Sequence, residues 1–208
     1  MTKNFAVIVL TAAVLFISAM AQASVGFDFA ADTQGWAAED WGNGTPTLSW
    51  TSFNGGSLQA DTSSMSVPVA PANWAKAYLK GDLGSPADLT STPIYSLDIW
   101  VPSDMWVKAK LGVRTGSGWT LYQGAETADL AQSTWQTISW NLTCVTDLND
   151  VRQLGVEVFG WYPTPTGNSF NIDNASANAA PIPEPASLFL LGTGLVGIFG
   201  LKNRKARG

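Results

Sequence analysis

Apolar and polar residues alternate along the middle of this chain with the two-residue period of β-strands, and the helical period is nearly absent there. The alternating segments are short and are bounded by Gly, Pro, Asn, Asp and Ser, which favour turns. Many short strands without a long helix predict two packed antiparallel sheets, an all-β sandwich. The predicted strands are Gly26–Ala30, Thr47–Trp50, Ser57–Ala60, Ala75–Lys80, Ile94–Val101, Trp106–Thr115, Thr120–Gly124, Trp135–Leu142, Leu154–Phe159 and Ser169–Asp173.

The N-terminal segment has the three parts of a secretory signal peptide. A single charged residue, Lys3, precedes an apolar run at 6–20, and small residues follow at 21 and 23. The apolar run is too short to span a bilayer comfortably. We therefore predict that residues 1–23 are a signal peptide and that the mature chain begins near Ser24.

The C-terminal segment has a different order of features. Pro183, Glu184 and Pro185 precede an apolar stretch at 186–201, and four basic residues follow it. Prolines separate the stretch from the preceding body because they continue neither a helix nor a sheet ladder. The basic end is predicted to stay in the cytoplasm by the positive-inside rule, which places the body outside the membrane.

This segment, residues 183–208, resembles the PEP-CTERM sorting signal, through its Pro-Glu-Pro motif, Gly-rich apolar helix and basic end. The resemblance implies recognition by an exosortase-type transpeptidase, cleavage near the proline motif, and an inner-membrane intermediate before the cell surface or the extracellular space. An ordinary C-terminal membrane anchor is the alternative, although such anchors normally have about 20 apolar residues. Residues 175–182, rich in Ala, Asn and Pro, are predicted to link the tail to a β-sandwich domain at 24–174.

The composition of the body excludes several functions. Residues 24–180 contain 15 acidic and 6 basic residues, a net charge of −9, which disfavours nucleic-acid partners. The chain contains no histidine, and this removes the usual general base and the usual zinc ligand. The single cysteine, Cys144, is expected to be a small buried core residue rather than a reactive thiol. We therefore expect no enzyme, unless its chemistry uses carboxylates alone.

The order of short motifs in the body resembles the galactose-binding-like jelly roll of carbohydrate-binding modules attached to mannanases and glucanases. Phe27-Asp28-Phe29 and Gln34-Gly35-Trp36 open the series, and Phe170-Asn171-Ile172-Asp173-Asn174 closes it. In such modules a structural Ca²⁺ often lies where the first and last strands meet. The resemblance thus implies a Ca²⁺ site at Asp28 and Asp173, completed by carbonyls of Asn54–Gly56. The alternative is that both carboxylates accept ordinary turn or edge hydrogen bonds.

Alternation along three predicted strands gives a candidate ligand-binding face. In Trp106–Thr115 the apolar set is Val107, Ala109, Leu111 and Val113, which leaves Lys110 and Arg114 on the opposite side. The same reasoning applied to Ile94–Val101 and Leu154–Phe159 predicts that one sheet carries Asp98, Trp100, Lys110, Arg114, Glu157 and Phe159 on its outer face.

Sugars present an apolar ring face and a rim of hydroxyls, so their sites combine aromatic platforms with polar side chains. Trp100, Trp119, Tyr122 and Trp161 are the candidate platforms, and Asp98, Lys110, Arg114 and Glu157 are the candidate polar partners. We nevertheless interpret the body first as structural or interaction-mediating, with cross-strand ion pairs on this face, and carbohydrate binding is the alternative. A more remote alternative is a carboxylate-only glycosidase or lyase that uses Asp98 and Glu157. Trp36, Trp135 and Trp140 are expected to seal the core instead.

Overall fold

The computed structural model describes residues 24–65, 75–91, 93–161 and 168–178, and the predicted signal peptide and sorting tail lie outside them. The described residues form two antiparallel sheets, which confirms the predicted β-sandwich. Within them, no helix is long and apolar enough to cross a membrane. The strands are β1 Ser24–Phe27, β2 Ala37–Asp40, β3 Thr47–Thr51, β4 Ser57–Asp61, β5 Ala75–Ala87, β6 Ile94–Trp100, β7 Trp106–Thr115, β8 Thr120–Gln123, β9 Trp135–Asn141, β10 Val151–Trp161 and β11 Ser169–Asn178.

Sheet A contains β3, β4, β11, β6 and β9 in that order, and β1 pairs with the end of β11. Sheet B contains β2, β5, β10, β7 and β8. Every neighbouring pair is antiparallel. The two strand orders show that strands adjacent in sequence are often in different sheets. For example, β6 belongs to sheet A and β7 belongs to sheet B.

The core lies between the two sheets and is filled by every second residue of the central strands. Leu97 and Ile99 of β6 are fully buried on the sheet A side, and Val113 and Val156 of sheet B are fully buried on the other. Complete burial of such side chains contributes about 1.5–3 kcal/mol each. The alternate residues of the same strands point away from the core and form the two outer faces of the sandwich.

The predicted strands differ from the observed ones mainly at their ends and in number. The strand β2 is missing from the prediction, while β5, β10 and β11 are longer than predicted. The predicted first strand ran to Ala30, but β1 ends at Phe27 because Phe29 has a positive φ of 46°. Short 3-10 turns at Phe53–Gly55 and Leu148–Asp150 are the helical elements among the described residues.

Candidate functional site

The outer side of sheet B, called here the sheet B face, brings a set of polar side chains into register. Glu39 of β2 lies opposite Tyr78 of β5, Tyr78 lies opposite Glu157 of β10, and Glu157 lies opposite Lys110 of β7. Arg114 lies on the same side of β7, four residues further on. The sequence prediction that Lys110, Arg114 and Glu157 share one face is therefore correct for these three residues.

Ion pairs fix the side chains at one end of this face. Glu39 accepts from Lys80 Nζ at 2.7 Å and from Arg114 Nη2 at 2.8 Å. Burial raises the pKa of the Glu39 carboxyl, but the hydrogen bonds from Lys80 and Arg114 outweigh it and leave that pKa below its usual value. Glu39 is therefore held ionised, in one orientation.

A second group of polar side chains surrounds Glu157, whose residue is only 5% exposed. Gln123 Nε2 donates to Glu157 Oε2 at 2.9 Å, and Lys110 Nζ lies 3.7 Å from the same oxygen. Lys110 also lies 4.8 Å from the ring centre of Phe159. These contacts hold a buried carboxylate at the middle of the sheet B face.

Two aromatic rings lie flat on this face, one above the other. The rings of Trp41 and Tyr78 stack at 5.0 Å with an interplanar angle of 8°, and the Arg114 guanidinium lies 5.6 Å from the Tyr78 ring centre. Tyr78 is fully buried, so burial raises the pKa of its hydroxyl, while Trp41 above it is half-buried. Trp41 is therefore the outer ring of a rigid aromatic platform.

Glycines on two neighbouring strands make room for this platform. A Cβ at Gly155 would lie 2.5 Å from Tyr78 Cζ, and a Cβ at Gly112 would lie 2.7 Å from Tyr78 Oη. Any side chain at either position would therefore lift the tyrosine ring off the sheet.

Asp98 and Trp100 do not lie on the sheet B face, so the prediction of one shared face is wrong. Both residues belong to β6, which is a strand of sheet A. Alternation correctly assigned them to an outward side, but that side faces away from sheet B. Asp98 and Glu157 are consequently on opposite faces of the sandwich, and the carboxylate pair behind the glycosidase or lyase alternative is not formed.

The predicted aromatic platforms are also placed differently. Tyr122 lies opposite Val113 and packs against the core, with its hydroxyl 2.6 Å from Thr146 Oγ1. Trp119 lies at the turn between β7 and β8, with the Arg152 guanidinium 5.9 Å from its ring centre. Trp161 ends β10 opposite Trp106, and its side chain is outside the described part of the structure.

The outer side of sheet A carries a row of residues that includes Trp100. Gln59, Asn171, Trp100 and Trp135 are successive cross-strand partners along β4, β11, β6 and β9. The ring of Phe53, from the turn after β3, lies 5.0 Å from the Trp100 ring and 5.9 Å from the Trp135 ring. The depression around Phe53, Gln59, Trp100 and Asn171 is called here the sheet A groove, and Trp135 lies beside it.

The residues predicted to belong to the core, other than the strand residues above, have mixed outcomes. Trp36 is 5% exposed and Trp140 packs against the core, as expected, but Trp135 lies on the outer side of sheet A, because it pairs with Trp100. The expectation that Cys144 is buried is wrong, because the turn after β9 leaves it exposed as a free thiol.

The two residues predicted to bind Ca²⁺ interact electrostatically. Asp173 is 8% exposed, and the pKa of its carboxyl is raised, first by burial and then by the charges of Asp98 and Asp28. Asp28 accepts from Ala30 N at 3.2 Å and from Gln34 Nε2 at 2.6 Å. Burial and nearby like charges make the ionised carboxylate unfavourable, and a bound cation would offset this. The described residues, however, hold no group of three potential metal-ligating side chains. Calcium therefore stays a prediction.

Sequence reasoning missed Glu39, Trp41 and Tyr78, the residues around the aromatic platform. Tyr78 lies in a predicted strand, at a position where alternation would have placed it outward beside Lys76 and Lys80. Trp41 follows a strand that was not predicted, and no periodic signal marks it.

Comparison with family models gives a match to the bacterial mannanase, galactose-binding domain-like family over residues 27–174. The chain belongs to this family. The match covers nearly all of the β-sandwich. A second model, the PEP-CTERM protein-sorting motif, matches residues 181–205 and marks the protein for export and surface sorting. No curated protein sequence matches the chain significantly.

Solved structures similar to this chain include carbohydrate-binding modules. CBM27-1 of Caldicellulosiruptor saccharolyticus, solved in complex with mannohexaose, matches with a TM-score of 0.54 and 14% identity over 75% of this chain and 97% of that chain. A structure from work on promiscuous modules of the β-sandwich superfamily matches with a TM-score of 0.50 and 16% identity, covering 76% of this chain and 62% of that chain. At these identities the likeness shows the fold alone.

Proposed function

We propose that this exported surface protein binds a neutral polysaccharide on its sheet B face. The observation that supports this most is the half-buried Trp41 ring stacked on Tyr78, beside charged groups held in place by ion pairs. A flat, rigid indole offers a surface for the apolar face of a sugar ring without losing conformational freedom on binding.

The polar groups beside Trp41 suit the hydroxyls of a sugar. Glu39, Glu157 and Gln123 supply acceptors and donors, and Lys110 and Arg114 supply further donors. Because ion pairs and hydrogen bonds already orient these side chains, binding requires little reorganisation. The membership of the chain in a mannanase-associated family makes a β-mannan fragment the first ligand to test.

The location of this activity follows from the two ends of the chain. We propose that residues 1–23 direct export, that 24–174 form the binding domain, and that 175–182 link it to the tail at 183–208. Removal of the tail by an exosortase would then leave the domain at the cell surface or in the extracellular matrix. The sorting-motif match at 181–205 supports this order.

A structural or interaction-mediating role is the second candidate, and the paired charges favour it. Lys80, Lys110 and Arg114 each have a carboxylate within 4 Å, as expected for cross-strand pairs that only stabilise a sheet. In that case the sheet B face would need no ligand.

A glycan-array screen followed by calorimetry on the purified exported protein distinguishes the two roles. Saturable binding of neutral oligosaccharides such as mannohexaose, cellohexaose or xylohexaose, weakened by about 1–3 kcal/mol in Trp41→Ala, is the expected result. Ile94→Ala is the control, because it removes an exposed apolar side chain from the opposite sheet. If the protein binds none of the glycans, the structural role is favoured.

A further inference from the structure

The sheet A groove lies on the side of the sandwich opposite to the sheet B face. Its floor is the row formed by Gln59, Asn171 and Trp100, three outward residues on adjacent strands. Phe53 lies in the turn after β3 and forms a wall of the groove, and the residue remains 39% exposed. The fold therefore builds a concave surface from two aromatic side chains and two amides.

The groove has a volume of about 350 Å³, within the usual range for small-ligand sites. Asn171 is only 4% exposed, and its buried Oδ1 accepts no hydrogen bond from any residue that the structure describes. A buried amide oxygen without a partner is costly, at about 1–3 kcal/mol. A ligand hydroxyl that donates to Asn171 would remove that cost.

The lining indicates what kind of ligand fits. Aromatic rings beside amide and hydroxyl groups match the apolar face and the hydroxyl rim of a sugar. Asp104 is the one charged residue among those that line the groove in the described part of the chain. A negative charge without a cationic partner in the lining disfavours uronic acids and other anions, and it leaves neutral sugars as the matching class.

We propose that the sheet A groove is a second binding site, which takes a single sugar residue of a neutral glycan. It acts independently of the sheet B face, and its contacts come from other strands. Since the two sites lie on opposite sides of one sandwich, a protein with both sites occupied bridges two glycan chains. Such bridging would cross-link a surface polysaccharide without any catalytic step.

The experiment follows the indole N–H signals of the purified exported protein by NMR during titration with mannohexaose, cellohexaose or xylohexaose. Shifts of the Trp100 and Trp135 signals report the groove, and shifts of the Trp41 signal report the sheet B face. Phe53→Ala is expected to weaken the groove response about tenfold while the Trp41 response is unchanged. Gln59→Ala should also weaken the groove response.

Ile94→Ala is the matched control, since Ile94 is an exposed residue on the same side of the same strand, about 20 Å from Trp100 along β6. It should leave both responses unchanged. A groove response that persists in Trp41→Ala supports this proposal, whether or not the sheet B face binds a glycan.

Three results would overturn the proposal. The first is a Trp100 signal that no neutral glycan shifts, as expected if another segment of the chain fills the groove. The second is a groove response unaffected by both Phe53→Ala and Gln59→Ala. The third is equal or stronger binding of an oligogalacturonate, which would contradict the assignment to neutral sugars.

Discussion

At the scale of single residues, Trp41 is the side chain on which the proposed function depends most. It covers the buried Tyr78 ring, is itself half-buried, and has the Lys76 ammonium 5.8 Å from its ring centre. Trp41→Ala should therefore reduce the free energy of oligosaccharide binding by about 1–3 kcal/mol, as a hot-spot residue does. The free energy of unfolding should fall by only about 1 kcal/mol, since a stacked aromatic pair is lost and no core cavity is made.

Calorimetric titration and chemical denaturation of the same preparation test this prediction. Trp41→Phe should recover part of the binding free energy and part of the free energy of unfolding, because it keeps an aromatic ring over Tyr78. Unchanged affinity in Trp41→Ala would remove the basis for a glycan site on the sheet B face.

Asp173 gives a prediction for the pH dependence of stability. Its pKa in the folded protein is raised above the ordinary 3.8 by burial and by the charges of Asp98 and Asp28. The folded state then binds this proton more tightly than the unfolded state, so stability falls as the pH rises from about 3.8 through the raised pKa. Asp173→Asn removes this effect and should be more stable than the wild type at neutral pH without metal. Denaturation in chelator at a series of pH values measures the difference.

Calcium would reverse that effect if it binds at Asp28 and Asp173. A ligand that binds only the folded state stabilises it by mass action, so Ca²⁺ should raise the Tm of the wild type. The rise should be absent in Asp173→Asn and reduced in Asp28→Asn. Glu126→Gln is a control that removes a carboxylate beside sheet B and should retain the calcium response. Identical melting curves in calcium and in chelator would reject the metal site.

At the scale of elements, β7 and β10 form the floor on which the aromatic platform rests. Gly155→Ala places a Cβ 2.5 Å from Tyr78 Cζ and 2.8 Å from the Leu79 carbonyl oxygen. We expect it to cost about 1–3 kcal/mol of stability through overpacking, and to weaken glycan binding because Trp41 moves with Tyr78.

Gly118→Ala is the matched control for Gly155→Ala. A Cβ added at Gly118 would lie 3.9 Å from its nearest neighbour, Thr120 Oγ1, which is ordinary van der Waals contact. Denaturation midpoints and glycan affinities of the two variants should therefore differ clearly. Equal behaviour would show that Tyr78 does not rest on β10 as the structure indicates.

The membership of each strand in a sheet also belongs to this scale. Alternation in β6, β7 and β10 predicted which side chains point outward. Burial confirms it for β6 and β7, and the cross-strand pairing of Glu157 with Lys110 supports it for β10. It could not predict that β6 pairs with β9 and β11, because hydrogen bonding between strands depends on the path of the whole chain. For this reason the residues predicted to share one face lie on the outer sides of two different sheets.

At the scale of the whole molecule, sorting can be tested separately from binding. Deleting residues 202–208 should leave export intact but block processing, since the basic end that completes the sorting motif is lost. The precursor should then accumulate in the membrane, and mass spectrometry should find no mature C-terminus. Replacing the arginines of this segment by lysine is the control, because it keeps the positive charge of the segment. A normally processed protein after the deletion would contradict the sorting mechanism.

The sequence by itself determined the β-sandwich, the sorting motif and the outward positions of Lys110, Arg114 and Glu157, because these features depend on local periodicity and on contiguous motifs. Only the tertiary structure decided that Trp100 belongs to a groove on the other sheet, that Trp41 covers Tyr78, and that Cys144 is exposed. Contacts between residues far apart in the chain are set by strand order and register. A one-dimensional pattern of apolar and polar residues specifies the side of a strand, but not which strands become its neighbours.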